Sequence, residues 1–246
     1  MRQNEYDAMY RVEDTHFWYR GMQKISEMLL RKYLPHESGN MILDAGCGTG
    51  GAMQWLKPFG KVYGFDISDL AIQYCKKRGL KNVVVGTVES IPFAPKMFDI
   101  VVCLDVLYHK QVKNDRQALK ELCRVLKPGG LLVIRVPAYN WLHSYHDVAV
   151  HAKHRYSAGE VEKLLLESGF AVKQTTYANM LLFPLSLVMR IVDRMFPSHH
   201  ETSDVKPIHP ILNTLFYFPL WIESKLIRFI SLPFGLSVVV IAGKTV

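Results

Sequence analysis

Apolar and polar positions along this chain of 246 residues follow two different periods. Over residues 4–35 the spacing is helical: Met22, Ile25, Met28, Leu29 and Leu30 form a stripe, and Pro35 ends the run. From residue 41 onward, short and nearly continuous apolar runs take turns with amphipathic segments. The pattern predicts strands at 41–44, 62–66, 82–86, 98–104, 131–136, 170–177 and 236–243. It predicts helices between them at 51–57, 70–78, 116–126 and 158–168. Pro128-Gly129-Gly130 stops the third of these helices, Ser157 caps the fourth and Gly169 ends it. Strands that are apolar on both faces and alternate with helices predict an α/β fold, a mostly parallel sheet covered on each side. The length suits a single domain over 1–246, with a helical cap at 1–40 and a core at 41–177 and 236–246.

Residues 178–235 depart from that alternation. They hold two apolar runs, 180–189 and 211–222, broken by Pro184, Arg190 and Pro219. Neither reaches the ~20 apolar residues that a membrane span requires. The segment therefore reads as an apolar helical insertion before the last strand. Three uses fit it: a lid over an apolar acceptor, a surface lying on a membrane, or a dimer interface or added core.

Charge adds little direction. The chain has a net charge of +8 and 49% apolar residues. The surplus is diffuse: residues 1–40 carry six basic and six acidic side chains, and 179–230 carry five and four. The one dense run, Lys76-Lys77-Arg78 with Lys81, reads as a solvated helix end, so no nucleic-acid partner is expected. Four cysteines without a paired spacing, and no apolar leader, point to reduced thiols in the cytoplasm. Membrane association would come only through 178–235.

The densest chemistry lies at 42–51, Ile-Leu-Asp-Ala-Gly-Cys-Gly-Thr-Gly-Gly. An apolar strand ends in an acid and runs into a glycine turn at the start of a helix. Gly46, Gly48 and Gly51 satisfy the spacing of a dinucleotide turn. Asp44 argues against a pyrophosphate at that place and suits a ligand carrying an ammonium or sulfonium group. Asp66 ends the next apolar run, 20 residues after Gly46, where a carboxylate can accept both ribose hydroxyls.

With these marks the chain resembles the class I S-adenosylmethionine-dependent methyltransferases. The likeness runs from about residue 42 to 169 and rests on four segments in order. They are Leu43-Asp44-Ala45-Gly46-Cys47-Gly48-Thr49-Gly50, Gly64-Phe65-Asp66-Ile67-Ser68, Phe98-Asp99-Ile100-Val101-Val102-Cys103 and Leu126-Lys127-Pro128-Gly129-Gly130. The resemblance implies a Rossmann-like seven-stranded sheet whose last strand runs antiparallel between strands 5 and 6. It implies S-adenosylmethionine as cofactor, with no metal. Asp44, Gly46, Cys47, Gly48 and Gly50 would surround the methionine end, together with the Leu104 carbonyl. Asp66 would hold the ribose and Ile67 would lie beside the adenine. Thr87 stands where relatives often carry an acid, which leaves the adenine contact to Thr87 or the Val88 backbone. Arg20 is a candidate for the cofactor carboxylate.

For the acceptor, Trp18, Tyr19, Tyr108, Tyr139 and Trp141 are candidate walls. His109, His146, His151 and His154 are candidate general bases, because histidine titrates near neutrality. Methyl transfer itself is an in-line displacement that needs alignment and exclusion of water. The expected activity is methylation of a small, apolar acceptor at O, N or C. A non-catalytic subunit that binds the cofactor, and a nicotinamide dehydrogenase, are the alternatives.

Overall fold

A computed structural model describes residues 3–34, 38–143, 147–148, 150–195 and 208–245. In chain order the elements are α1 (Gln3–Val12), α2 (Phe17–Tyr33), β1 (Asn40–Ala45), α3 (Gly51–Leu56), β2 (Gly60–Asp66), α4 (Asp69–Lys77), β3 (Val83–Val85) and β4 (Phe98–Leu104). They continue with α5 (Asp115–Val125), β5 (Leu126–Pro137), α6 (Ala158–Glu167), β6 (Phe170–Ala178), α7 (Phe183–Met195), α8 (Pro210–Leu226) and β7 (Ser237–Lys244).

The sheet order is β3-β2-β1-β4-β5-β7-β6. β7 pairs antiparallel with both β5 and β6, and the other pairings are parallel. This is the Rossmann-like topology expected. One face of the sheet packs on α5 and α6 through Leu119, Leu122, Val161 and Leu165. The other packs on α2, α3, α4 and α8 through Ile25, Leu29, Met53, Cys75 and Leu220. Each such side chain contributes about 1.5–3 kcal/mol on burial.

Two predicted boundaries differ. The helix expected over 4–35 is broken at residues 13–16, where His16 caps α2 by accepting from the Trp18 N–H at 3.2 Å. The break turns Glu13 and Asp14 toward Arg78, which bonds them at 2.8 and 2.7 Å. β5 also begins five residues early, at Leu126, and its pairing with β4 shifts between Phe98 and Ile100. Pro128-Gly129-Gly130 therefore lies inside an irregular strand start and not in a separate turn.

The insertion holds α7 and α8. α8 lies along α2, close enough that a Cβ on Gly21 would stand 2.4 Å from Leu220 Cδ1. That approach explains a glycine inside a helix, where it costs ~1 kcal/mol against alanine. Asn213 of α8 also accepts from the Phe17 N–H at 2.6 Å and donates to the Thr15 carbonyl at 2.8 Å, holding the α1–α2 turn.

Candidate active site

The parallel strands end level with one another. Asp44 pairs with Gly64, Asp66 with Val85, and Leu104 with Arg135. Asp66, Asp44, Asp105 and Arg135 therefore follow in order across the carboxyl edge of β2, β1, β4 and β5. At ~4.8 Å per strand they span about 14 Å. A cavity of about 290 Å³ opens along this edge. α1 and the start of α2 cover it with Tyr6, Met9, Glu13, Trp18 and Tyr19.

The glycine turn is built by the backbone. Gly46 and Cys47 both donate to the Phe65 carbonyl at 2.9 Å. Gly46 has φ +81°, and a Cβ there would sit 2.4 Å from Val106 Cγ2. Only glycine meets both conditions without strain.

Asp44 is 1% exposed, and its Oδ2 is buried with no hydrogen-bond partner. Burial, and then the charges of Asp66 and Glu13, push its pKa to about 8, with Arg135 opposing them. A buried acceptor without a partner costs free energy unless a donor arrives. A ligand ammonium would supply that donor, so this carboxyl fits the methionine end of S-adenosylmethionine. Asp66 accepts from the Gly48 and Ser68 N–H groups at 3.0 Å, and Tyr6 OH reaches it at 3.5 Å. Burial raises its pKa, while the backbone donors pull it down. Replacing Asp66 by Ala should weaken cofactor binding by about 1.5–3 kcal/mol, the scale of hydrogen bonds to a charged group. Calorimetric titration checks this, and unchanged affinity would remove Asp66 from the ribose.

The far end of the cavity differs in character. Tyr19, Tyr108, Val106, Val112 and Val150 line it. Arg135 Nε and Nη2 both donate to Asp105 Oδ2, at 2.9 and 2.6 Å, and the guanidinium lies 5.2 Å from the Trp18 ring centre. His109 Nδ1 accepts from the Gln111 N–H at 3.2 Å, so the ring proton belongs on Nε2. Nε2 is buried without a partner, and burial chiefly lowers the pKa to about 4. At neutral pH this imidazole is uncharged and carries a hydrogen-bond donor, not a free base, at Nε2.

Of the residues singled out in the sequence, the cavity brings together Asp44, Gly46, Cys47, Gly48, Asp66, Ile67, Thr87, Val88, Leu104, Trp18, Tyr19, Tyr108 and His109. The others lie elsewhere. Gly50 starts α3 and faces Leu80. The Arg20 guanidinium lies 4.4 Å from the Tyr217 ring centre, between α2 and α8. Tyr139 stacks on Tyr177 and Trp141, against Phe183 of α7. His154 bonds Glu160 at 2.9 Å beside the cap of α6. His151 meets the His109 ring edge-on at 5.9 Å but does not line the cavity. His146 lies outside the described residues. Nor does any described residue of 178–235 line the cavity, so its cover is α1 and α2 and not the insertion.

Glu13, Asp105 and Arg135 were missed. Arg135 had a visible signal, a cation inside the apolar run 131–136. Glu13 had none, because its contacts with Thr49 and Arg78 join residues far apart in sequence.

Comparison with known proteins agrees with this geometry. Residues 43–134 match a family model described as a methyltransferase domain. The tRNA (carboxymethyluridine(34)-5-O)-methyltransferase of Arabidopsis thaliana is 36% identical over 117 residues, 47% of this chain and 28% of that protein. The chain thus spans less than a third of that relative's length. A methyltransferase in complex with the Trm112 methyltransferase activator of Haloferax volcanii superposes with a TM-score of 0.64 at 20% identity, covering 98% of each chain. A SAM-dependent methyltransferase of Thermotoga maritima gives a TM-score of 0.59 at 22% identity, covering 98% of this chain and 96% of that one.

These likenesses correct one expectation. Nucleic acid was excluded on the ground of diffuse charge, yet a relative 36% identical over 117 residues is named for tRNA. Residues 43–134, which match the methyltransferase domain, carry the glycine turn and the central strands. Net charge over the whole chain does not report on what a protein built around that segment methylates. The strand order, the glycine turn between two strand-end acids and the matched domain agree on one conclusion: this chain belongs to the class I S-adenosylmethionine-dependent methyltransferases.

Proposed function

We propose that the enzyme methylates a small, hydrophobic acceptor bound at the β4–β5 end of the cavity. The observation that carries this reading is the division of the cavity. Its β2–β1 end holds the buried acids Asp66 and Asp44. Its β4–β5 end is walled by Trp18, Tyr19, Tyr108 and Val150. The cofactor, when bound, supplies a methyl group already activated on a sulfonium.

The chain's own residues then align and enclose. Asp44 takes the ammonium and Asp66 the ribose. Arg135 is the one arginine or lysine among the described lining residues, and it would hold the cofactor carboxylate. Asp105 holds the guanidinium in place. Tyr19 and Tyr108 line the cavity and would exclude water from the acceptor, so that alignment and proximity contribute to the transfer. His109 donates from Nε2 to the oxygen of an ionised acceptor, a phenolate that has released its proton to water before transfer, and orients it.

The test is transfer of radiolabelled methyl from S-adenosylmethionine to a panel of phenols, quinols and hydroxylated lipids, with bulk tRNA alongside. Label should enter an organic-extractable product. His109→Ala should lower turnover by at least tenfold, while His109→Gln, which keeps a donor, should retain more. A His109→Ala enzyme as active as the parent would remove the donor role.

A second reading, a nucleoside in RNA as acceptor, is favoured by the relative named for tRNA. Label found in tRNA and in no small acceptor would put that reading first.

A further inference from the structure

Exposed apolar side chains are not spread evenly over this protein. Among the described residues, 16 of 22 large hydrophobic side chains that stand exposed lie between Leu181 and Phe234. On α7, Leu185, Val188, Val192 and Met195 recur at helical spacing on one side. On α8, Ile211, Leu215 and Phe218 do the same, and Ile211 is 72% exposed. The opposite side of α8 is already used against α2 through Leu220. After α8 the chain presents Phe229, 79% exposed, and Ile230. Soluble monomers rarely leave an apolar patch of more than a few hundred Å² open.

We propose that this surface lies on a lipid bilayer with anionic headgroups, as an in-plane anchor. Charge argues for lipid. Across residues 208–234, Glu223 is buried, and the exposed charged side chains are Lys225 and Arg228, both basic. Lys225 stands 5.7 Å from the Trp221 ring centre, and that ring stacks on Phe218 at 5.8 Å. An amphipathic aromatic ring beside an ammonium on a long stem suits the headgroup boundary, where one end is wet and the other apolar. Length argues for lying flat. α8, with 17 residues and Pro219 inside it, reaches about 26 Å at ~1.5 Å per residue, short of a ~30 Å hydrocarbon core. No helix among the described residues is long and apolar enough to cross a membrane.

The patch is also continuous with the working edge of the sheet. Phe183, at the start of α7, packs edge-on against Tyr139 and Phe234. Tyr139 follows β5 just beyond the strand end that carries Arg135. Docking through this face would bring the carboxyl edge of the sheet to the bilayer surface. The anchor does not depend on which acceptor is methylated, because vesicle binding is read without turnover.

The experiment is flotation of the full chain with vesicles of phosphatidylcholine alone, and with phosphatidylcholine containing a third of phosphatidylglycerol. The parent should float with the anionic vesicles, and less so in high salt. Phe218→Ser with Phe229→Ser should cut the bound fraction at least tenfold. Lys225→Glu with Arg228→Glu should abolish the preference for anionic vesicles. Calorimetric cofactor binding equal to the parent's shows that each variant is folded. A parent that stays in solution with both vesicle types overturns the proposal, as do folded variants that float as well as the parent. A stable dimer by light scattering that the Phe218→Ser, Phe229→Ser variant dissolves would overturn it in favour of a second copy of the chain.

Discussion

Asp44→Asn is expected to weaken S-adenosylmethionine binding and to flatten its dependence on pH. The carboxyl is buried and lacks a partner on Oδ2, and its pKa stands at about 8 against an ordinary 3.8. In the ligand-free protein near neutrality it therefore holds a proton. Pairing with the cofactor ammonium requires the carboxylate, so binding releases that proton. Affinity should rise up to about tenfold per pH unit until about pH 8, and then level off. The sign for folding runs the other way. The folded pKa is raised, so the stability it contributes is complete below about pH 3.8 and is lost as pH climbs through about 8. The free enzyme should soften on the alkaline side of that window, and the cofactor should restore it. Asparagine removes both the titration and one charge-assisted bond, about 1.5–3 kcal/mol at neutral pH. Calorimetric titrations at several pH values, in buffers of different ionisation enthalpy, measure affinity and proton release together. An asparagine variant with the parent's pH slope would show that another group titrates.

The same residue shows how far the sequence could be read. Asp44 and Asp66 were legible because a strand-end acid beside a glycine turn is a local pattern. The glycine spacing alone fits a dinucleotide, and it is the acid at the strand end that suits a ligand cationic at one end. The central strands β1, β4, β5 and β7 were legible for a similar reason: both of their faces are largely buried, so their apolar runs are nearly unbroken. The position of β7 between β5 and β6 came from resemblance to a family and not from the residues of 236–243 themselves.

What could not be read was set by contacts between distant segments. The helical stripe at 4–35 carries no sign that Thr49 and Arg78 hold Glu13, or that Asn213 of α8 holds the break between α1 and α2. Histidines 146, 151 and 154 were grouped because they are close in sequence. Folding gives His154 to Glu160, and it is His109 that reaches the cavity. A lid was one of three uses that fitted the insertion because it is apolar. Apolarity alone does not say which side of the sheet a segment covers, and α8 chose the α2 side.

That choice depends on one buried acid, and Glu223→Ala should lower stability by about 3 kcal/mol or more. Glu223 is 0% exposed on α8. Its two carboxylate oxygens accept from the Asn179 and Leu181 N–H groups, each at 2.7 Å, where the chain leaves β6. Asn179 has φ +62°, a conformation that needs support. Burial raises the Glu223 pKa, and the backbone donors counter that rise. Alanine would leave the buried Asn179 N–H and the part-buried Leu181 N–H without their acceptor, each losing a bond to a charged group worth about 1.5–3 kcal/mol. For a chain of this size, ~2–4 °C per kcal/mol places the expected fall in Tm at about 6–12 °C. Glutamine should not rescue it fully, because one end of its amide would present hydrogens to a backbone donor. Cofactor affinity measured well below the transition should hold, because no described residue of α8 lines the cavity. Thermal unfolding with and without cofactor separates the two effects. A Tm within about 2 °C of the parent would mean that apolar packing against α2 alone holds α8. Lost affinity in a folded variant would mean that α8 sets the cavity through the α1–α2 turn that Asn213 holds.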